Sequence, residues 1–157
     1  MKLALCIPTH HGRAETLRQL LDSVLRQDGL PAPDGLEITI SDNASTDGTA
    51  DLVRHYQRVS PFAVKYFRFD RDMRGVRNVL NSVEMANADW CWILGSDDVI
   101  VEGGLAKVLA ALKANPSVAG ATVNKLNFDN SLELLIGPDA PPILPADAGR
   151  TRVLQGF

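Results

Sequence analysis

Short apolar runs alternate with segments of helical periodicity along residues 3–112, and this alternation limits the folds that the chain can adopt. The runs have the length of β-strands, and between them apolar residues recur at the spacing of an amphipathic helix. The order β-α-β-α-β-α-β-α predicts an α/β, Rossmann-like domain whose mostly parallel sheet has helices on both faces. The strands are predicted at residues 3–7, 36–40, 64–69 and 90–94, and the helices carry their apolar positions within residues 17–25, 50–56, 76–86 and 105–112.

Details of these runs predict where individual strands lie. Pro8 is predicted to end the first strand, and the alternating character of residues 64–69 predicts a more exposed place in the sheet. Trp90 and Trp92 share one face of the fourth strand, where we expect core packing. Cys6 and Cys91 lie inside apolar runs without metal-binding spacing, so we expect buried, reduced thiols.

The pattern changes after residue 117. Residues 121–128 and 132–136, separated by Asp129-Asn130, predict a β-hairpin. Residues 137–145 contain four prolines and are predicted to be irregular.

The charge and hydropathy of the chain exclude several classes of partner. The 157 residues carry a formal charge of -3, with no long run of either sign, so we expect no binding to nucleic acid. No stretch approaches the roughly 20 apolar residues of a membrane span, and the first apolar run meets Pro8 too soon for a signal peptide. We therefore expect a cytoplasmic protein.

Polar clusters follow three of the predicted strands. In parallel α/β sheets ligands bind at the carboxyl ends of the strands, so these clusters are the candidate site. Histidines do not suggest a metal site, because His10 and His11 are adjacent and the remaining histidine, His55, lies on a predicted helix. The clusters are Thr9-His10-His11, Asp42-Asn43-Ala44-Ser45 and Ser96-Asp97-Asp98.

The acidic pair Asp97-Asp98 follows the fourth strand directly. Two neighbouring carboxylates repel each other unless a cation lies nearby, and hard oxygen ligands suit Mg²⁺ or Mn²⁺ together with substrate phosphates. A solvated turn that caps the next helix explains the pair equally well. The residues alone leave both interpretations open.

The other clusters are also open to two interpretations. Asp42 at a strand end could accept a hydrogen bond from a base or a ribose, while residues 45–49 are ordinary turn and cap residues. Arg13 and the helix start at 74–78 offer guanidinium groups and backbone amides to phosphate, or are simply surface charges.

In combination and in this order, the motifs closely resemble the inverting glycosyltransferases of family 2. The resemblance covers roughly residues 2–115. Ile7-Pro8-Thr9-His10 with Arg13 stands where the family often has IPTYNR, and residues 42–49 match its DNASTDGT stretch. Gly75 to Asn78 precede a helix as in the family, and residues 93–98 replace its DxD region.

The resemblance implies an A-type glycosyltransferase fold and a role for each matched residue. Thr9 and Asp42 would hold the nucleoside, and Arg13 and Arg77 would lie near the nucleotide or its phosphates. Asp97 would face the ribose or sugar, and Asp98, with Asp97, would ligate Mg²⁺ or Mn²⁺. The nucleotide-sugar site implied in full comprises Pro8, Thr9, His10, Arg13, Asp42, Asn43, Ser45, Gly75, Arg77, Ser96 and Asp97.

Two departures from the family pattern concern this site. Gly95 occupies the place where many relatives have the first acidic residue of the metal motif, which puts the affinity or geometry of the metal in question. His10 and His11 replace the more usual Tyr-Asn, which changes the groups available around the base.

The activity implied is transfer of a sugar from a nucleoside-diphosphate donor to an acceptor hydroxyl, with inversion, in the synthesis of surface polysaccharide or glycan. We expect one domain over residues 1–157, with the nucleotide-sugar core at 1–115 and the start of the acceptor side at 116–157. The general base and any peripheral membrane association are expected beyond Phe157, and the acceptor is expected to be a glycan or a lipid-linked glycan. A non-catalytic nucleotide-sugar-binding module and a sugar nucleotidyltransferase are the alternatives.

Overall fold

The computed structural model describes residues 1–123, which form four strands and four α-helices in strict alternation. Residues 1–109 make one compact unit, and a second unit begins at Ala110. The predicted hairpin and proline-rich segment lie outside the described residues. The strands are β1 (Leu3–His10), β2 (Leu36–Asn43), β3 (Ala63–Arg68) and β4 (Trp90–Ile93), and the helices are α1 (Ala14–Leu25), α2 (Thr49–Val59), α3 (Arg74–Glu84) and α4 (Gly104–Ala114).

The four strands form one parallel sheet in the order β3-β2-β1-β4. The predicted α/β fold with a parallel sheet is confirmed. Strand β3 lies at the edge and is more exposed than β1 or β2, as its alternating sequence predicts. Strands β1 and β2 are almost entirely buried, and their apolar residues form the core with one face of α1. The core residues of α1 are Leu17, Leu20, Leu21 and Val24.

The two central strands continue three residues further than the sequence predicts. Strand β1 passes through Pro8, because β4 is paired with β1 only as far as Cys6. The carbonyl of Cys6 faces β4, so the backbone nitrogen of Pro8, two residues later, faces the side where β4 has ended. The missing N–H of Pro8 therefore removes no bond from the ladder. Strand β2 follows β1 to the pair His10 and Asn43.

Helix α3 exists as predicted, but it packs against β1 and β2 through polar residues. Asn78, Asn81 and Ser82 are buried, whereas Val76 and Leu80 are 76% and 51% exposed. Two of the apolar positions from which this helix was predicted, Val76 and Leu80, therefore lie on its exposed side. The physical reason is a hydrogen-bonded layer: the hydroxyl of Ser41 donates to Asn78 Oδ1 over 2.7 Å, and Asn81 Nδ2 donates to the Ser41 hydroxyl over 2.9 Å.

Strand β4 lies at the other edge of the described sheet, and two of its four residues are exposed. Cys6 is buried and burial raises the pKa of its thiol to about 12, as expected of a structural thiol. Cys91 is exposed, so the prediction of a buried thiol was wrong there. Trp90 and Trp92 are half-buried rather than enclosed. Among the described residues, none of the helices has the length and apolar character needed to cross a bilayer.

Candidate functional site

The carboxyl ends of the parallel strands bring three loops to one edge of the sheet. Thr9 at the end of β1 is the register partner of Asp42 on β2, and Asp42 is in turn the partner of Arg68 on β3. Strand β4 ends at Ile93, opposite Cys6 of β1, and the turn with Asp97 and Asp98 follows it. The topology therefore gathers the three polar clusters on the side where α/β sheets bind ligands.

Asp42 is fully buried, and protein donors already contact both of its oxygens. Oδ1 accepts hydrogen bonds from the backbone N–H of Ser45 over 2.9 Å and from its hydroxyl over 2.5 Å. Oδ2 accepts one from the phenol of Tyr66 over 2.6 Å. The carboxylate is thus held in one orientation below the surface, although its place at a strand end suggested an accessible acceptor for a base or a ribose. A carboxylate has about four acceptor positions, so one remains at Oδ2.

Thr9 lies beside Asp42 on the neighbouring strand, and its hydroxyl is the group of interest. Its side chain is buried, and its Oγ1 has no hydrogen-bond partner among residues 1–123. Leaving a buried hydroxyl without a partner costs about 1–3 kcal/mol, so such groups commonly await a ligand or water. The backbone here is fixed by Asn78, whose Nδ2 donates to the carbonyl of Thr9 over 2.8 Å.

The turn after β4 folds two carboxylates over Gly95. The backbone N–H of Gly95 donates to Asp98 Oδ2 over 2.7 Å, and the N–H of Asp98 donates to the Gly95 carbonyl over 3.0 Å. A methyl group on Gly95 would lie 2.8 Å from Asp97 Oδ1 and 3.1 Å from Asp98 Oδ2. Oxygens of both carboxylates therefore face the same small space, which only glycine leaves open.

Arg13 joins this turn to the loop after β1. Its Nη1 lies 2.9 Å from Asp97 Oδ2, across 84 residues of sequence. The other oxygen of Asp97, Oδ1, is the one that faces the space over Gly95. Ser96, which precedes the pair, is buried. The structure thus brings Arg13, Asp97 and Asp98 into one cluster, with both acidic groups partly accessible to solvent.

The oxygen pair over Gly95 fits a hard divalent cation. Mg²⁺ and Mn²⁺ prefer oxygen ligands, and Mg²⁺ sites typically use one or two carboxylates with phosphates and waters completing the shell. In the described part of the chain, no three His, Cys, Asp or Glu side chains are gathered as a metal-binding group. The donor set thus suits a cation that arrives with a phosphate-bearing ligand, not an all-protein metal cage.

Asp47 ties the loops after β1 and β2 together. Its Oδ2 accepts from the backbone N–H of Gly12 over 2.5 Å, and its Oδ1 accepts from the hydroxyl of Thr49 over 2.6 Å. Burial would raise the pKa of Asp47, but these hydrogen bonds outweigh burial and lower the pKa to about 2. A second link joins the same loops, because His11 Nδ1 lies 3.1 Å from the hydroxyl of Thr46. His10 is exposed and Pro8 is half-buried beside them.

Asn43 connects the end of β2 to the start of α3. Its Nδ2 donates to Asp72 Oδ1 over 2.6 Å, and its Oδ1 accepts from the backbone N–H of Met73 over 2.8 Å. The backbone N–H of Arg74 also donates to Asp72, and together these bonds lower the pKa of that carboxyl. Asn43 is therefore engaged with the protein itself.

The helix start contributes less to the cluster than its sequence suggests. Arg77 extends along α3 and its Nη1 pairs with Glu84 Oε1 over 2.9 Å, so the structure does not bring it to Arg13 and Asp97. Gly75 has open space around its Cα. The backbone N–H of Arg74 already donates to Asp72, so the N–H groups of Gly75 and Val76 are the donors that this first turn offers to an anion.

Sequence reasoning missed three residues that shape the site. Tyr66 belongs to an edge strand, and only its place two residues before the end of β3 could have indicated contact with Asp42. Asp47 was assigned with its neighbours as a turn and cap residue, which its bond to the N–H of Thr49 confirms, but its second bond, to Gly12 in the loop after β1, was not predicted. Asn78 gave no signal apart from its polarity within a helix.

The fold and this group of side chains define the class: an α/β protein with hydroxyl, carboxylate and guanidinium groups gathered at the carboxyl ends of parallel strands. Residues 4–137 match Glycosyl transferase family 2. The chain therefore belongs to that family. The resemblance drawn from the sequence motifs is confirmed at this level.

Known proteins similar to this chain include glycosyltransferases. It is 42% identical over 106 residues to abequosyltransferase RfbV of Salmonella typhimurium (strain LT2). This aligned region covers 68% of this chain and 31% of that protein. Its fold is similar to S. aureus TarS 1-349 in complex with UDP-GlcNAc, with a TM-score of 0.65, 22% identity, and coverage of 82% of this chain and 38% of that one. It is equally similar to the mannosyltransferase PcManGT of Pyrobaculum calidifontis in complex with GDP-Man and Mn²⁺, with a TM-score of 0.65, 22% identity, and coverage of 79% and 36%.

The matched regions are only part of the known proteins. The aligned region spans 31% to 36% of the length of the curated relatives, which is about a third. At 22% identity, the two structural similarities concern the fold alone.

Proposed function

We propose that this chain is the donor-binding part of a metal-dependent glycosyltransferase that moves a sugar from a nucleoside-diphosphate donor to an acceptor hydroxyl with inversion. The observation that carries the proposal is the convergence of Asp97 Oδ1 and Asp98 Oδ2 on one space beside Arg13. Two carboxylates and one guanidinium at this sheet edge suit a cation-bound diphosphate. The family to which the chain belongs supports the same assignment.

The nucleoside is assigned to the cluster at the ends of β1 and β2. The position at Asp42 Oδ2 that no donor within residues 1–123 occupies accepts an N–H of the base or a ribose hydroxyl. The hydroxyl of Thr9, which has no partner within the same residues, bonds a neighbouring polar atom of the nucleoside. Ser45 fixes the orientation of Asp42. Pro8, His10 and Asn43 lie at the same strand ends and are included in the proposed nucleoside site.

The diphosphate is assigned to Arg13 and to the first turn of α3, where Gly75 leaves its backbone accessible. Asp97 and Asp98 would hold Mg²⁺ or Mn²⁺ through the two oxygens over Gly95. Such an ion supplies neutralisation of the negative charge that develops on the departing nucleoside diphosphate. Arg77 pairs with Glu84 along the helix. We assign it to the diphosphate as a second arginine, which has to leave Glu84 before it can bind a phosphate.

Inversion requires an acceptor hydroxyl to attack from the face opposite the leaving group, with a general base within hydrogen-bond reach. We assign that base to none of the residues 1–123. A glycan or lipid-linked glycan of the cell surface is the proposed acceptor, which is supported by similarity to an abequosyltransferase and to a glucosyltransferase named for GalNAc(5)-diNAcBac-PP-undecaprenol. The division of residues 1–115 and 116–157 into donor core and start of the acceptor side remains part of this proposal.

Calorimetric titration of the chain with UDP, GDP, CDP and dTDP, each with and without Mn²⁺, tests the proposal. We expect at least one diphosphate to bind, and Mn²⁺ to strengthen that binding. Absence of binding to all four would overturn the assignment.

An Asp98→Asn variant sharpens this experiment, because it removes one negative charge from the proposed cation site. We expect Mn²⁺ no longer to strengthen nucleotide binding in this variant. The matched control is Asp28→Asn, an exposed aspartate in the loop that leads into β2 at the opposite edge of the sheet. This control should retain the effect of Mn²⁺, and an undiminished effect in Asp98→Asn would exclude Asp98 as the ligand.

A further inference from the structure

Arg13 and Asp97 form the one side-chain ion pair that connects the loop after β1 to the turn after β4 within residues 1–109. Nη1 of Arg13 touches Oδ2 of Asp97, while Oδ1 of the same carboxylate faces the space that Asp98 shares. The arginine is therefore bound to the outer oxygen of one of the two proposed cation ligands. A cation that enters this space meets a positive charge already in place.

The guanidinium of Arg13 uses only a small part of its hydrogen-bonding capacity in this contact. An arginine has five N–H donors, and among the described residues only Nη1 of Arg13 has an acceptor. The side chains of Arg13 and Asp97 are 37% and 52% exposed. The unused donors can thus grip phosphate oxygens from solvent without any rearrangement of the core.

The ion pair is also weak enough to exchange. Pairs between partly exposed side chains shift an equilibrium by no more than about fivefold. A bidentate bond from arginine to a phosphate is stronger, because charge-assisted bonds of this kind are shorter and include two parallel contacts. The balance of these two interactions favours transfer of Arg13 from the carboxylate to an arriving diphosphate.

We propose that Arg13 is a positioning residue that acts as an exchangeable counter-ion of the cation site. With no donor bound, it neutralises Asp97 and disfavours binding of a free divalent cation. When the cation arrives together with a nucleoside diphosphate, Arg13 leaves Asp97 for the phosphates and the carboxylate becomes available to the cation. The site therefore selects the cation–nucleotide complex over either component. This inference rests on the proposed donor site.

The test compares Arg13→Gln with wild type for two ligands separately. Mn²⁺ alone is titrated and followed by the electron paramagnetic resonance signal of the free ion. The diphosphate that wild type binds is titrated calorimetrically in the presence of EDTA. We expect Arg13→Gln to bind Mn²⁺ about fivefold more tightly, because the competing charge is gone. It should bind the metal-free diphosphate about tenfold more weakly, because a charge-assisted phosphate contact is lost.

Changes of opposite sign in the two affinities distinguish this role from general damage, since a loosened fold would weaken the binding of both ligands. Arg18→Gln on α1 is the matched control, with the same change of charge on a residue that pairs with Glu15 and Asp22. It should change neither affinity by more than about twofold. Arg13→Lys keeps the charge and should leave Mn²⁺ binding as in wild type.

The possible outcomes separate this inference from the proposed function. If wild type binds no diphosphate, the donor site itself is wrong and the inference falls with it. If wild type binds but Arg13→Gln weakens Mn²⁺ as well as diphosphate, or matches Arg18→Gln for both, the counter-ion role is overturned and the donor site stands.

Discussion

The phenol of Tyr66 donates a hydrogen bond to Oδ2 of Asp42 over 2.6 Å and so links the edge strand β3 to the carboxylate at the bottom of the proposed nucleoside site. Burial raises the pKa of Tyr66 well above its ordinary value, and the hydrogen bond to Asp42 and its negative charge raise it further. The phenol therefore stays protonated near neutral pH. It remains a donor that holds Asp42 as an oriented acceptor.

We expect Tyr66→Phe to weaken nucleoside-diphosphate binding by about tenfold, because Asp42 loses the donor that fixes Oδ2. Inorganic pyrophosphate with Mn²⁺ lacks the nucleoside, so its binding should be unchanged. Calorimetric titration of both ligands against the same variant gives the comparison. Equal losses for both would show that Tyr66 supports the whole sheet edge and not Asp42 in particular.

Tyr56 provides a matched control for this variant. Its phenol also donates to an aspartate, Asp22 Oδ1 over 2.5 Å, but the contact joins α2 to α1 away from the strand ends. Tyr56→Phe should lower the free energy of unfolding by about 1 kcal/mol and leave nucleotide affinity intact. A loss of nucleotide affinity in Tyr56→Phe would show that removing any buried phenol weakens binding, so that the effect of Tyr66→Phe would not be specific to Asp42.

Gly95 tests whether the space between the two carboxylates matters. In Gly95→Ala, the new methyl group would approach Asp97 Oδ1 and Asp98 Oδ2 to 2.8 and 3.1 Å, so both side chains must move away. We expect the Mn²⁺-dependent part of nucleotide affinity to fall by about tenfold, as when the support of a metal ligand is disturbed. Calorimetry with and without Mn²⁺ measures that part directly.

The control for Gly95 is Gly120→Ala in the segment after α4, where a methyl group meets nothing within 4 Å. This variant should retain the Mn²⁺-dependent part of nucleotide affinity. If Gly95→Ala also retains the Mn²⁺-dependent part of nucleotide affinity, the carboxylates do not bind the ion through the space over Gly95.

Ala44 has a φ of 62°, in the left-handed region that disfavours residues with a Cβ. It lies between Asn43 and Ser45, in the turn that shapes the Asp42 cluster. Ala44→Gly should raise the free energy of unfolding by about 1 kcal/mol. Glycine relieves the strain in the folded state, and this relief outweighs the entropy that glycine adds to the unfolded chain. Urea unfolding followed by tryptophan fluorescence is the measurement.

The opposite result is expected at an ordinary helical alanine. Ala50→Gly in α2 should lower the free energy of unfolding by about 1 kcal/mol, since glycine is a poor helix former. Destabilisation by Ala44→Gly of similar size would show that the backbone at 44 is not strained in solution.

Much of the fold was readable from the sequence because periodicity depends on local geometry. The strand and helix order, the parallel sheet and the exposed place of β3 all follow from the spacing of apolar residues. The strand ends were misplaced for a non-local reason: Pro8 is tolerated only because β4 stops at Ile93. The buried face of α3 was missed because its polar residues bond to Ser41, which no helical pattern reveals.

The site was predictable as a set of strand ends, but its internal contacts were not. The rule that ligands bind at the carboxyl ends of parallel strands correctly grouped Thr9, Asp42 and Asp97 at one edge. Which oxygen each donor contacts depends on loop conformation, so the bond from Tyr66 to Asp42 and the pair of Arg13 with Asp97 appear only in three dimensions. The pair of Arg77 with Glu84 likewise could not be predicted from the sequence.

Asp47 leads to a prediction about pH. Hydrogen bonds from Thr49 and Gly12 outweigh burial and hold its folded pKa at about 2, below its ordinary value of 3.8. A carboxyl with a lowered folded pKa stabilises the protein fully above its unfolded pKa, and this contribution is lost as pH falls through the folded value. The contribution should therefore be complete at pH 6 and largely absent near pH 2.

We expect Asp47→Asn to be less stable than wild type by about 1 kcal/mol at pH 6, because the neutral amide is a weaker acceptor for the loop after β1. The difference should shrink as the pH falls from about 4 to about 2, where wild-type Asp47 becomes protonated. Urea unfolding at several pH values measures it. Asp51→Asn is the control, since Asp51 pairs with Arg54 on the surface of α2 and should show a much smaller difference. A difference for Asp47→Asn that stays constant down to pH 2 would mean that its charge does not hold the two loops together.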